Sequence, residues 1–198
     1  MRQFKGISDV YIAEVTKDDG VTYTTGEPKR LMYTARVSKE VSSDSATLYY
    51  DNKAMAVVNS EGSDEITIEG SALELETLAE ITGKIYDAET GMFIDSERTV
   101  KNFALGYKEK MLDGSYRYNW RLKGTFAIPA TEANTESDGT DSNGQTVNFT
   151  GIFTETPFTK ANNNGAKGVV VSDETADVTG WFEEVKTPDT VVVKQPSV

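Results

Sequence analysis

The 198-residue chain contains no cysteine and no histidine. Without cysteine there is no disulfide framework, no thiolate zinc site and no thiol nucleophile. Without histidine there is no Ser-His-Asp triad, no Cys-His dyad and no imidazole metal ligand. Most hydrolytic and metal-dependent chemistry is closed to such a chain; carboxylate, lysine or tyrosine chemistry remains, or none. No apolar run nears the roughly 18 residues of a membrane-spanning helix. Residues 1–9 hold no apolar segment of the kind a secretory leader carries, so none is expected. Positive charge is also in deficit: 20 Lys and Arg stand against 32 Asp and Glu, for a net charge of −12. That balance disfavours a general binder of nucleic acid or of anionic membrane.

What is present is a folded, polar-surfaced protein of one-domain length. Hydrophobic residues make up 37% and 16 glycines add to them, the low edge of the globular range. The dominant pattern is period-two alternation, the mark of half-buried strands. Leu31, Tyr33, Ala35 and Val37 share one face; Ile66 and Ile68 alternate with acids; Phe103, Leu105 and Tyr107 form a further row. The clearest row is Tyr116, Tyr118, Trp120 and Leu122 against Arg117, Asn119, Arg121 and Lys123, with Phe126 and Ile128 resuming it before Pro129. Val10–Val15 is apolar on both faces, which predicts a strand covered on both sides. Asp113-Gly114 and the run Lys17–Gly20 carry turn chemistry. Strands resume at Val169–Val171 and at Trp181-Phe182.

One segment predicts a helix, at about residues 72–82. Ser71 and Glu74 have capping-box spacing, Leu75, Leu78 and Ala79 form a stripe, and Gly83 offers a left-handed stop. Residues 131–145 and 162–168 read as polar loops. The expected fold is therefore mainly β, a sandwich or barrel of antiparallel strands with one short flanking helix. Residues 1–185 form that domain, and residues 186–198 are a frayed tail or a docking arm.

The candidate chemistry is thin. An EF-hand register through Asp138, Asp141 and Gly144 places Gly139 at position one and Thr150 at position twelve, where ligands are needed. A solvated loop is the better reading, although a calcium loop outside the EF-hand pattern stays open. A glycosidase pair of carboxylates is always imaginable among 32 acids, and no spacing singles one out. No enzyme activity, metal or cofactor is expected. The basic stripe of Arg117, Arg121 and Lys123 says more, because residues 101–125 carry six basic against two acidic residues in an acidic chain. Three readings stand: a solvated outer face, contact with the acidic surface of a neighbouring copy, or nucleic-acid binding. The first two outrank the third, and the three residues are the candidate inter-subunit contacts.

The order of motifs resembles the major tail proteins, or tail-tube proteins, of phages with long non-contractile tails. The resemblance lies in FKGISDVYIAEV (Phe4–Val15), ATLYYDNKAMAVV (Ala46–Val58), the segment Glu65–Asp87, FTGIFTE (Phe149–Glu155) and TGWFEEV (Thr179–Val185). The most specific piece is DGSYRYNWRLKGTFAIP, Asp113–Pro129. Ile81-Thr82-Gly83 stands where that family more usually has two leucines and a glycine. The resemblance implies a virion protein, made in the host bacterial cytoplasm. It would self-assemble into rings, commonly hexameric, that stack into a hollow tube through which viral DNA passes without specific binding. Other tail proteins, such as a tape measure and a tail terminator, would be its partners. A net-negative lumen avoided by Arg117, Arg121 and Lys123 is expected, and charge reversal at the three should impair polymerisation. The alternative is a monomeric β-sandwich binding module, carbohydrate-binding or adhesin-like, with Tyr116, Tyr118 and Trp120 as its aromatic face.

Overall fold

A computed structural model of the chain describes residues 3–50, 53–130 and 144–195. The chain is mainly β, with one antiparallel sheet of nine strands, a separate two-stranded sheet and a single short α-helix. The strands are β1 (Phe4–Asp18), β2 (Tyr23–Thr25), β3 (Lys29–Met32), β4 (Thr34–Tyr50) and β5 (Lys53–Gly70). Helix α1 (Leu75–Thr82) follows, then β6 (Ile85–Asp87), β7 (Met92–Ile94), β8 (Phe103–Met111), β9 (Tyr116–Phe126), β10 (Gln145–Ile152) and β11 (Gly168–Ser172). The polar stretch 131–143, with Asp138 and Asp141 of the calcium reading, lies outside the described residues.

The main sheet runs β2-β1-β8-β9-β10-β5-β4, with β3 also on β1 and β11 also on β9. Its two ends are joined by one short crossing. Strand β3 pairs with β1, the chain breaks at Tyr33, and β4 then pairs with β5. Residues 29–50 therefore touch both ends of the sheet and curl it on itself. The break explains why the even alternation expected from Leu31 fails: Leu31 and Met32 are both buried, while Tyr33 is 74% exposed. A bulge in β1 between Ser8 and Tyr11 adds to the curl. Asp9 sits there with φ 55°, a left-handed conformation that Asp tolerates better than most residues.

Because both faces of the curled sheet are covered, it has two cores. The inner one holds Val10, Ile12, Ile66, Ile68, Phe103, Leu105, Tyr107, Phe126, Val147 and Phe149, with Ile81 from the helix. The outer one lies against Ala13, Ala104, Trp120 and Leu122 and is covered by Phe158, Trp181 and Val185 from the C-terminal segment. Ile12 faces the inner core and Ala13 the outer, so Val10–Val15 is covered on both sides as its composition predicts. Each fully buried large side chain contributes about 1.5–3 kcal/mol through removal from water.

Local detail corrects the sequence reading in three places. The helix begins at Leu75, and Glu74 is its N-cap with no side-chain capping bond. Ser71 does not cap the helix; its Oγ accepts the Tyr33 N–H at 3.2 Å. Thr77, Ala79, Ile81 and Thr82 are buried, whereas Leu75 is 49% exposed, so the buried stripe is rotated from the expected one. Gly83 does end the helix in the left-handed region, at φ 67°. Trp181-Phe182 is not a strand but part of a turn, where Trp181 accepts through its carbonyl the indole N–H of Trp120 at 3.1 Å. Ile128 falls beyond β9 and is 54% exposed.

The described part of the tail is docked on its own chain. Asp177 N–H donates to Val192 O at 3.1 Å and Lys194 N–H to Thr175 O at 2.9 Å. Asp189 accepts the N–H groups of Thr159 and Lys160, each at 2.9 Å.

Candidate assembly surface

Strand β10 pairs with β5 only over Asp64–Gly70. Beyond that point β4 and β5 continue as a pair from Ser43↔Glu61 to Tyr50↔Lys53. At about 3.3 Å per residue this two-stranded ribbon runs roughly 25 Å past the end of the β5–β10 pairing. Its described side chains include exposed apolar ones: Met55 is 68% exposed and Val57 61%. A lone two-stranded hairpin is marginal in water. The ribbon's length has a sequence cause, since residues 29–70 contain no proline and residues 31–61 no glycine.

The ribbon's root is held by a buried charge cluster. Asp64 is 1% exposed and lies where β5 leaves β10. Lys39 approaches its carboxylate to 3.0 Å, Arg121 to 3.2 Å and Lys167 to 3.4 Å. Lys167 also donates to Glu61 Oε1 at 2.7 Å and to the Gly62 carbonyl. Strands β4, β5 and β9 and the residue preceding β11 thus meet at one carboxylate.

A second buried pair lies at the end of β1. Lys123 Nζ donates to Asp18 at 2.8 Å and to Glu155 at 2.9 Å. Asp18 further accepts the N–H groups of Glu155 and Thr156, at 2.9 and 2.8 Å. Burial pushes its carboxyl up, but the Lys123 hydrogen bond and those two N–H groups outweigh it, and the acid is held below its ordinary value. The stabilisation is therefore present above the unfolded value near 3.8 and is lost as pH falls through the lower folded value. An Asp18→Asn protein should have a lower Tm than the parent at pH 7, with the gap closing toward pH 3. A gap that stayed constant in a calorimetric pH series would contradict this.

These clusters correct the exposure assumed for the basic stripe. Arg121 is 9% exposed and Lys123 6%, and their acidic partners are Asp64, Asp18 and Glu155 of the same chain. The face opposite Trp120 is not a solvated outer face, because Asp64, Asp18 and Glu155 pair with its basic side chains. Arg117 alone of the three is only half-buried, its guanidinium 5.4 Å from the Phe4 ring centre. Charge reversal of all three would therefore damage the fold before it tested any contact between copies.

The aromatic row is likewise occupied from within. Trp120 is fully buried, Tyr118 meets Trp181 edge-on at 5.7 Å, and Phe182 stacks on Tyr11 at 4.8 Å. A sugar platform of Tyr116, Tyr118 and Trp120 would need those faces open. Among the described residues no group of three or more acidic side chains gathers as a metal site, and no helix is long and apolar enough to cross a membrane. No protein-family model matches the chain, and no curated protein matches it in sequence.

Proposed function

We propose that the protein is a non-enzymatic structural subunit that self-assembles into stacked rings, the tube of a long non-contractile phage tail, and resides in the virion. The β4–β5 ribbon carries this reading. Among its described residues it carries apolar side chains, Met55 and Val57, that stand exposed on this chain, and a neighbouring copy is the partner always present at matched concentration. The motif order from Phe4 to Val185 agrees with it. The net charge of −12 suits a conduit for DNA, since an acidic wall repels phosphate and lets the polymer slide. Ring closure with six copies, and capping by other tail proteins, follow from the resemblance.

Negative-stain electron microscopy of the concentrated protein tests the proposal. Rings or tubes with an open channel are expected. The double substitution Met55→Glu and Val57→Glu should abolish them while changing monomer stability by less than about 1 kcal/mol, since both sites are exposed. Single small particles at every concentration would count against the proposal.

A further inference from the structure

Strand β11 pairs antiparallel with β9, Gly168 opposite Arg121 and Ser172 opposite Arg117. Leu122 N–H donates to Lys167 O at 2.9 Å and Asp173 N–H to Tyr116 O at 3.1 Å. In an antiparallel ladder the peptide groups alternate in direction. Those of Lys167, Val169 and Val171 thus point at β9, and those of Gly168 and Val170 point away from it. Ala166, one step earlier, still meets its own chain, accepting the Thr154 N–H at 3.2 Å. Among the described residues the outward groups of Gly168 and Val170 meet none.

The vacancy has a cause in the topology. Strands β10 and β11 lie on the same side of β9, at Phe126–Lys123 and Arg121–Arg117, as one interrupted row. Strand β5 flanks this row antiparallel to β10 as far as Asp64 and then departs with the ribbon instead of continuing along β11. Among the described residues each chain therefore has a β5 edge at about residues 53–59 with no strand beside it, and an open β11 edge of matching polarity. Val170 is 51% exposed beside the second, as Met55 and Val57 are on the first.

We infer that the β5 edge of the ribbon of one copy adds antiparallel to the β11 edge of another, completing the sheet that its own ribbon leaves short. This rests on the self-assembly reading and names the surfaces. Donor and acceptor are different patches, so a head-to-tail contact of this kind can propagate from copy to copy around a ring. Backbone hydrogen bonds supply the affinity, and Val170 against Val57 or Met55 supplies an apolar contact.

Val170→Pro tests it, because proline removes only an N–H that points away from β9 and is tolerated on an edge strand. Val170→Thr keeps the N–H and is the control. Light scattering and electron microscopy should show Val170→Pro monomeric at concentrations where wild type and Val170→Thr assemble. Tryptophan fluorescence from the buried Trp120 and Trp181 checks that the variant is folded. A second measurement uses the absence of native cysteine: Val170→Cys chains mixed with Met55→Cys or Val57→Cys chains should form intermolecular disulfides on oxidation, in excess over either chain alone. Tubes that persist with folded Val170→Pro, or mixed chains that do not cross-link, overturn the strand addition and leave the tube reading standing. Closed dimers that cross-link support strand addition and overturn the tube. Wild type that stays monomeric overturns both.

Discussion

Replacing Asp64 by asparagine should destabilise the protein by about 3–5 kcal/mol, the cost of removing one member of a buried ionic cluster. The carboxylate is 1% exposed and faces Lys39, Arg121 and Lys167. Asparagine preserves its volume but not its charge, and Arg121 and Lys167, with side chains 11% and 6% exposed, have little water to turn to. Lys167 retains Glu61, so the loss falls hardest on Arg121. Equilibrium denaturation measures the effect, and a change below about 1 kcal/mol would show that the cluster does not hold the fold. The same variant carries a local signature. Amide exchange should accelerate at Glu61–Asp64 more than in β8, because the cluster ties the ribbon's root to β9.

Trp120→Ala should cost a comparable amount, about 3–5 kcal/mol, as for other buried aromatic truncations. The indole is fully buried and donates to the Trp181 carbonyl. It also lies flat against Gly106, where an added Cβ would come within 2.8 Å of three ring atoms. Truncation empties the space between the sheet and the C-terminal segment, so Trp181 and Phe182 lose their support together. Thermal unfolding should show a large fall in Tm, and limited proteolysis should cut first between residues 173 and 195. A variant that kept its Tm would mean that the outer core is dispensable. Gly106→Ala is the converse experiment, overfilling the site that Trp120→Ala empties.

The fold class was legible because most strands have one apolar face, and period two survives in the sequence wherever that holds. Phe103, Leu105 and Tyr107 are all buried in the inner core, as the row predicts. The Asp113-Gly114 turn also forms, with Asp113 accepting the Ser115 N–H at 3.0 Å and Gly114 at φ 94°. Strand β9 misled because its second face is buried too, and a strand lined by Arg121 and Lys123 looks solvated unless the partners are known. Those partners lie far off in sequence: Asp64 is on β5 and Asp18 at the end of β1. No local pattern encodes such pairing. The ribbon was missed for a different reason, since alternation reports that a strand exists and is silent on whether a neighbour accompanies it to its end.

The outer core is closed by residues that come later in the chain than the strands they cover: Phe158, Trp181 and Val185 lie against a surface laid down by β1, β8 and β9. Synthesis proceeds in that order, so a growing chain presents Trp120 and Leu122 bare until the covering segment emerges. Strand β11, whose outward edge meets no partner among the described residues, comes out just ahead of Trp181 and Val185. Until Trp181 is seated, the apolar face of these strands stays open to non-native contacts, the general exposure of an incomplete chain. Premature contact between nascent chains on one messenger is the hazard this order creates, and late docking of Trp181 and Val185 is the event that ends it.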